Sequence, residues 1–277
     1  MERFVAAVVQ LTSIGDRERN LARVAELVGE AASRGARLVV LPENFAFLGK
    51  EAERIAIAED VAGDGPILTA LRALARTHRL HLVAGGLPER SPDPERTYNT
   101  CLCLDPEGRI VGHYRKIHLF DVAIPDGAVY QESKTVARGA EPVVARTSLG
   151  VIGLSVCYDL RFPELYRALV ADGAEVLVVP AAFTLYTGKD HWHPLLRARA
   201  IESSCFVLAA AQQGRHDERR VTYGHSMIVE PWGTILAEAP DGEGLAVAEL
   251  SPALLARARG ELGDPLAAAV LRGGRSS

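Results

Sequence analysis

The sequence predicts an α/β fold built on mixed sheets, and three observations carry that prediction. Short apolar runs of strand character recur along the chain, and segments of helical periodicity lie between several of them. Two pairs of neighbouring strands are joined through the turns Asp105-Pro106-Glu107-Gly108 and Glu230-Pro231-Trp232-Gly233. Strand–helix alternation asks for parallel pairing and the short turns for antiparallel pairing, so a uniformly parallel sheet is not expected. With 277 residues and 48% hydrophobic content, the chain can bury a large core as one domain over residues 1–260.

The run Phe4 to Leu11 is short and lacks a cleavage-site pattern, so it reads as an opening strand rather than a signal peptide. A helix over Arg17 to Ser33 follows, then strand Leu38 to Leu41, helix Pro66 to Thr77 and strand Leu80 to Ala84. Asn99 to Leu104 and Ile110 to Lys116 flank the first hairpin turn. Val151 to Val156 has the length and β-branched content of a buried strand, and Pro163 opens a helix over Pro163 to Ala171. Strand Val176 to Val179, helix Asp190 to Ser203 and strand Cys205 to Ala210 come next. Thr222 to Val229 and Thr234 to Ala237 flank the second turn, and Leu245 to Glu249 is the last strand. The halves resemble each other, which suggests two stacked sheets with helices on the outer faces. Residues 261–277 lack a strong period and end Gly-Gly-Arg-Ser-Ser, so they read as a tail, mobile or docked on a partner subunit.

A net charge of -4 argues against a nucleic-acid surface, which needs a basic patch. No segment reaches the roughly 18 apolar residues of a membrane span. Cys101, Cys103, Cys157 and Cys205 show no spacing typical of a disulfide framework or zinc site, so reduced thiols and a cytoplasmic location are expected. Cys101 and Cys103, two apart on a strand, read as core residues, and Tyr98 as packing. His191 and His193 flank Trp192 in a helical segment without acidic or thiol ligands close by, so neither a metal nor a cofactor is expected.

Chemistry points to Cys157. It closes a strand and precedes Tyr158-Asp159-Leu160-Arg161-Phe162-Pro163-Glu164, which places its thiol near helix N-terminal amides that favour a thiolate and can hold an oxyanion. A buried core cysteine fits the local pattern equally well. Two other strand ends carry charge: Glu43 follows Leu38-Val39-Val40-Leu41-Pro42, and Lys116 follows Ile110 to Arg115. Singly, Glu43 reads as a helix cap and Lys116 as a snorkelling surface cation. Converging on Cys157, they supply a base, a cation and a nucleophile for acyl transfer. Asp159 with Arg161, and Arg197 and Arg199 with Glu202, read as supporting charge pairs.

These segments carry a family resemblance. Leu41-Pro42-Glu43, Tyr114-Arg115-Lys116-Ile117-His118-Leu119-Phe120 and Gly153 to Leu165 around Cys157 resemble the Glu, Lys and Cys motifs of the nitrilase superfamily of carbon-nitrogen hydrolases. The likeness runs in order from the first strand to about Leu250. It is nearest to the Nit branch, which contains deaminated glutathione amidase and the ω-amidases, through Gln131-Glu132-Ser133-Lys134, His191-Trp192, Ala209 to His216, and Tyr223-Gly224-His225-Ser226-Met227. The resemblance implies a four-layer α-β-β-α sandwich with two stacked mixed sheets, paired through outer helices into a homodimer. It also implies hydrolysis of a small primary amide through a cysteine thioester, releasing ammonia. Deaminated glutathione is the first substrate, and α-ketoglutaramate or another amide or N-carbamoyl compound the alternative. A scaffold that retained the fold is the non-catalytic alternative.

By the same resemblance Glu43 is the general base, Lys116 and the Tyr158 backbone N–H the oxyanion donors, and Glu132 the second glutamate that orients Lys116. Phe183, Thr187 and His191 are the expected pocket wall, and the loops around Phe45, Tyr130, Phe183 and His193 are expected to shape it. One departure stands out: the branch usually follows His-Trp with Glu, where this chain has His193.

Overall fold

The computed structural model describes residues 1–123, 129–218 and 220–262. Two mixed sheets stack face to face, with helices on both outer sides, as the sequence predicts. In chain order, the first half comprises β1 (Phe4–Gln10), α1 (Arg17–Ser33), β2 (Ala36–Leu41), α2 (Glu51–Ala56), α3 (Pro66–His78), β3 (His81–Arg90), β4 (Thr97–Leu104) and β5 (Ile110–Arg115). A hairpin of β6 (Asp121–Ala123) and β7 (Val129–Gln131), then β8 (Val136–Ala137), lead out of it. The second half comprises β9 (Val144–Thr147), β10 (Gly150–Leu154), α4 (Pro163–Ala171), β11 (Val176–Val178), α5 (Leu185–Ser203) and β12 (Phe206–Ala209). It continues through β13 (Gln213–Arg215), β14 (Val221–Tyr223), β15 (Met227–Val229), β16 (Ile235–Glu238), β17 (Gly244–Leu250) and α6 (Pro252–Leu262).

The first sheet runs β17-β1-β2-β3-β4-β5, with β8 beside β4, and the second runs β16-β15-β12-β11-β10-β9. In each, three parallel strands (β1-β2-β3 and β10-β11-β12) continue into an antiparallel hairpin (β4-β5 and β15-β16). The hairpin turns are the Asp-Pro-Glu-Gly and Glu-Pro-Trp-Gly sequences, so the likeness between the halves is a repeat of strand order.

Alternation along each strand assigns its two faces. Ala6, Val8, Leu38, Val40, Cys101 and Cys103 face the inter-sheet core with Ile152 and Leu154. Their neighbours Ala7, Val9, Val39, Leu41, Leu102 and Leu104 face a second core under α1 and α3, where Val24, Leu27, Val28, Leu68 and Leu71 pack. On the far side Leu165, Leu169, Trp192 and Leu196 of α4 and α5 pack on the outer face of the second sheet, in a core continuous with the inter-sheet one. Cys101 and Cys103 are thus core residues, and burial pushes the Cys103 thiol up to about 12.

Helices α1 and α4 have the expected bounds, but α5 starts at Leu185 rather than Asp190 because the Thr184 side chain caps it by accepting from Thr187 N–H. The predicted strand Thr222 to Val229 is two strands in different sheets, since Gly224 (φ 78°) and His225 (φ 59°) reverse the chain between them. Short β9, β13, α2 and α6 carry too little periodicity to have been read. The predicted tail lies, from residue 263 on, outside the described residues, as does the Pro125-Asp126-Gly127 turn before Glu132.

Candidate active site

Three strand ends converge on one cavity of about 580 Å³, lined by Glu43, Lys116, Glu132, Cys157 and Tyr158, with Phe183 and Thr187 in its wall. Glu43 sits two residues beyond β2 and Lys116 one beyond β5, both nearly fully buried. The approach of the two sheets there depends on Gly85 and Gly86. A Cβ on Gly85 would lie 2.2 Å from the Pro180 side chain, and one on Gly86 (φ 77°) would lie 2.1 Å from the Asn44 nitrogen. No other residue type fits this pair, which sits at the irregularity in β3 beside the Glu43 strand end.

Cys157 begins a 3-10 turn over Cys157–Arg161, with φ 50°, a conformation uncommon outside glycine. The turn is held from several sides. Cys157 N–H donates to Pro180 O at 2.8 Å. The buried Asp159 carboxylate accepts from Val156 N–H (2.9 Å), Tyr114 O–H (2.7 Å) and His118 N–H (3.1 Å), and contacts His118 Nδ1 at 2.7 Å. Arg199 donates to Leu160 O at 3.0 and 2.9 Å and pairs with Glu202. The backbone amide that meets the thiol comes from the segment after β11: Ala182 N–H points at the sulfur.

Lys116 Nζ lies 3.1 Å from Glu43 Oε1, and 3.1 and 2.8 Å from the two Glu132 oxygens. Glu132 is anchored by Phe120 N–H at 2.7 Å. Asn99 Nδ2 bridges the two acids, donating to Glu43 Oε1 at 2.9 Å and to Glu132 Oε1 at 3.0 Å. The Glu43 carboxylate also meets the Cys157 thiol. Neither the cap expected of Glu43 nor the snorkelling expected of Lys116 is what these side chains do.

The charges reinforce one another. Burial opposes the Lys116 ammonium, yet Glu132 and Glu43 outweigh it and raise its pKa, so it stays charged. Burial also opposes ionisation of Glu132, but Lys116 and its hydrogen bonds hold its pKa below the usual carboxylate range. Burial and the neighbouring Glu43 carboxylate push the Cys157 thiol well above its usual range, against the pull of Lys116. The resting pair is therefore a neutral thiol facing a carboxylate, suited to deprotonation as it attacks rather than before.

Of the expected pocket wall, Phe183 and Thr187 line the cavity and His191 does not. His191 Nδ1 lies 3.3 Å from two nitrogens of Arg161, and it is Arg161 that lines the cavity, 5.3 Å over the Phe183 ring. The expected Asp159–Arg161 pair is therefore absent, with Asp159 turned inward to His118. Arg197 likewise donates to Gly233 O at 2.8 Å. Among the expected pocket loops, those around Tyr130 and Phe183 line the cavity, and so does the one around Phe45 through Asn44 and Phe47, with Phe45 itself buried in the helix-side core; His193 lies behind the wall. Asn99 and Arg161 were missed in these roles. A lone amide inside the Thr97–Leu104 strand was the available signal for Asn99, and a cation next to the thiol motif the one for Arg161.

A fold of two stacked mixed sheets with a thiol, two carboxylates and an ammonium at strand ends defines a hydrolase of carbon-nitrogen bonds. The chain belongs to the carbon-nitrogen hydrolase family, whose sequence model matches residues 5–260. It is 48% identical over 265 residues to deaminated glutathione amidase of Synechocystis, covering 95% of this chain and 97% of that protein. The human deaminated glutathione amidase is 46% identical over 251 residues, covering 89% of this chain and 76% of the other. The crystal structure of Saccharomyces cerevisiae Nit3, a member of branch 10 of the nitrilase superfamily, superimposes with a TM-score of 0.85 at 30% identity, over 95% of both chains.

Proposed function

We propose that this enzyme is a deaminated glutathione amidase that works through a Cys157 thioester, with residues 1–260 as its single catalytic domain. The observation that carries the proposal is the contact set around Lys116 Nζ, which brings Glu43 and Glu132 together beside the Cys157 thiol in one cavity. Glu43 takes the thiol proton as sulfur attacks the amide carbonyl carbon. Lys116 and the Tyr158 backbone N–H hold the oxyanion, a type of contact worth about 3 to 4 kcal/mol per donor in other enzymes. Glu43 then protonates the leaving nitrogen, the C–N bond breaks, and a water activated by Glu43 cleaves the thioester. Glu132 and Asn99 keep Lys116 in place.

Phe183 and Thr187 form the wall, and Arg161, steered by His191, receives a carboxylate of the substrate, which suits an α-keto acid bearing an ω-amide. Substrate chemistry revises one expectation. In deaminated glutathione the scissile nitrogen belongs to cysteinylglycine, so the leaving group is an amine, whereas α-ketoglutaramate is a primary amide that releases ammonia. Both leave 2-oxoglutarate, which serves as the common readout. The wild type is expected to form it from deaminated glutathione with a higher kcat/KM than from α-ketoglutaramate, and Cys157→Ala from neither. The opposite preference makes the enzyme an ω-amidase; product formation by Cys157→Ala would sink the thioester mechanism.

The protein is further proposed to act in the cytoplasm as a homodimer. Its four cysteines are all unpaired, which suits a reducing compartment, and among the described residues no helix is long and apolar enough to cross a membrane. Ile201, which lies against Gly233, and Trp232, whose ring sits under Arg257 of α6, are both exposed and suit pairing through the outer helices.

A further inference from the structure

Behind the cavity wall, α5, the turn after β14 and strand β16 bring together His193, His225 and Glu238. One carboxylate oxygen, Glu238 Oε1, lies 3.0 Å from His193 Nε2 and 2.6 Å from His225 Nδ1. All three atoms lie within 4.8 Å of one another. Among the described residues no lysine or arginine pairs with Glu238, whose partners are the two rings.

The rings are held in place by contacts outside the cluster. His225 has φ 59°, its ring stacks on Tyr223 with centroids 4.3 Å apart, and its carbonyl accepts from Trp192 Nε1 at 2.8 Å. His193 meets Tyr223 edge-on, with centroids 6.1 Å apart. Each of the three side chains is 30% exposed, so the point they face is open to water on one side.

We propose that His193 Nε2, His225 Nδ1 and Glu238 Oε1 form a binding site for a divalent transition-metal ion of the zinc class, with water as the fourth ligand. Tetrahedral zinc holds nitrogen and oxygen at roughly 2.0 to 2.2 Å, which sets neighbouring ligands about 3.3 Å apart. The contacts to Glu238, at 3.0 and 2.6 Å, open by about 0.3 and 0.7 Å to reach that spacing, and the two imidazole nitrogens, which lie within 4.8 Å, settle to it with them. Two imidazoles and one carboxylate suit zinc, copper or nickel, whereas calcium and magnesium ask for oxygen donors. The site is distinct from the Cys157 cavity, though joined to it by packing: Trp192 lies against Phe183, centroids 4.9 Å apart, and Phe183 lines the cavity. The histidine at 193 also gains a purpose, since the glutamate expected there would leave one imidazole in place of two. The sequence had no means of showing this set, because His193 is distant in the chain from both of its partners.

The test uses untagged full-length protein carrying Cys157→Ala, so that the active-site thiol cannot take up metal. Equilibrium dialysis against zinc is expected to give one equivalent bound. His193→Ala and His225→Asn, the latter keeping a residue that tolerates positive φ, are each expected to weaken uptake by roughly tenfold or more. Zinc at a hundredfold excess over its Kd should raise the Tm by about 5 °C, and calcium or magnesium should not. Failure to take up zinc, or uptake unchanged in both variants, overturns the proposal.

Discussion

Lys116 is a buried cation held between two acids that Asn99 bridges. Asn99 donates one N–H to each carboxylate, so its loss leaves both with an unfilled acceptor in a dry site. Hydrogen bonds to charged groups contribute about 1.5 to 3 kcal/mol, which corresponds to a fall in kcat of roughly 10- to 100-fold for Asn99→Ala. The variant is expected to keep its fold and, to within a few-fold, its KM. Steady-state kinetics checks this, and a kcat unchanged from wild type would show that Lys116 is positioned without Asn99. At this scale the sequence was legible where a charged residue or a thiol ended an apolar strand, as at Glu43, Lys116 and Cys157. Asn99 was not, because its role comes from two carboxylates far from it in the chain.

Among the elements, β3, β4 and β5 are tied by one carboxylate at the edge of the site. Glu89 of β3 accepts from Thr100 of β4 at 2.6 Å and from Arg115 of β5, and meets His113 of β5 at 2.9 Å. Burial opposes its ionisation, but these partners outweigh it and lower its pKa from 4.5 to about 2. A depressed folded-state pKa contributes stability that is fully present above the unfolded value and lost as pH falls through the folded one. The window therefore runs from about 4.5 down to about 2, and the contribution is on the order of 3 kcal/mol. Thermal melts should show the gap between wild type and Glu89→Gln narrowing as the pH is lowered through that window. A gap that stays constant would remove Glu89 as the source. The hairpin turns and strand runs were readable, while the extension of β3 to Arg90 was not, because Gly85 and Gly86 interrupt its apolar pattern.

For the molecule as a whole, the proposed dimer makes a direct prediction. Sedimentation velocity is expected to give a particle of twice the chain mass, shifted toward the monomer by Ile201→Glu or Trp232→Glu, since a stable interface buries about 1,200 to 2,000 Å² and tolerates a central charge poorly. A monomer at micromolar concentration would exclude pairing, and a dimer indifferent to both substitutions would move the interface elsewhere.

The sequence by itself determined the α/β class and the two similar halves, and it singled out the thiol and the charged strand ends that the fold brings together, because alternation, turn chemistry and charged strand ends are local properties. Only the tertiary structure decided that His191 meets Arg161, that Asp159 turns inward to His118, that Asn99 joins the two acids, and that His193 meets His225 and Glu238. Each of these is a contact between residues from different elements, set by how the sheets and helices pack. A reading along one chain sees the side chains and their order, and packing alone sets the distances between them.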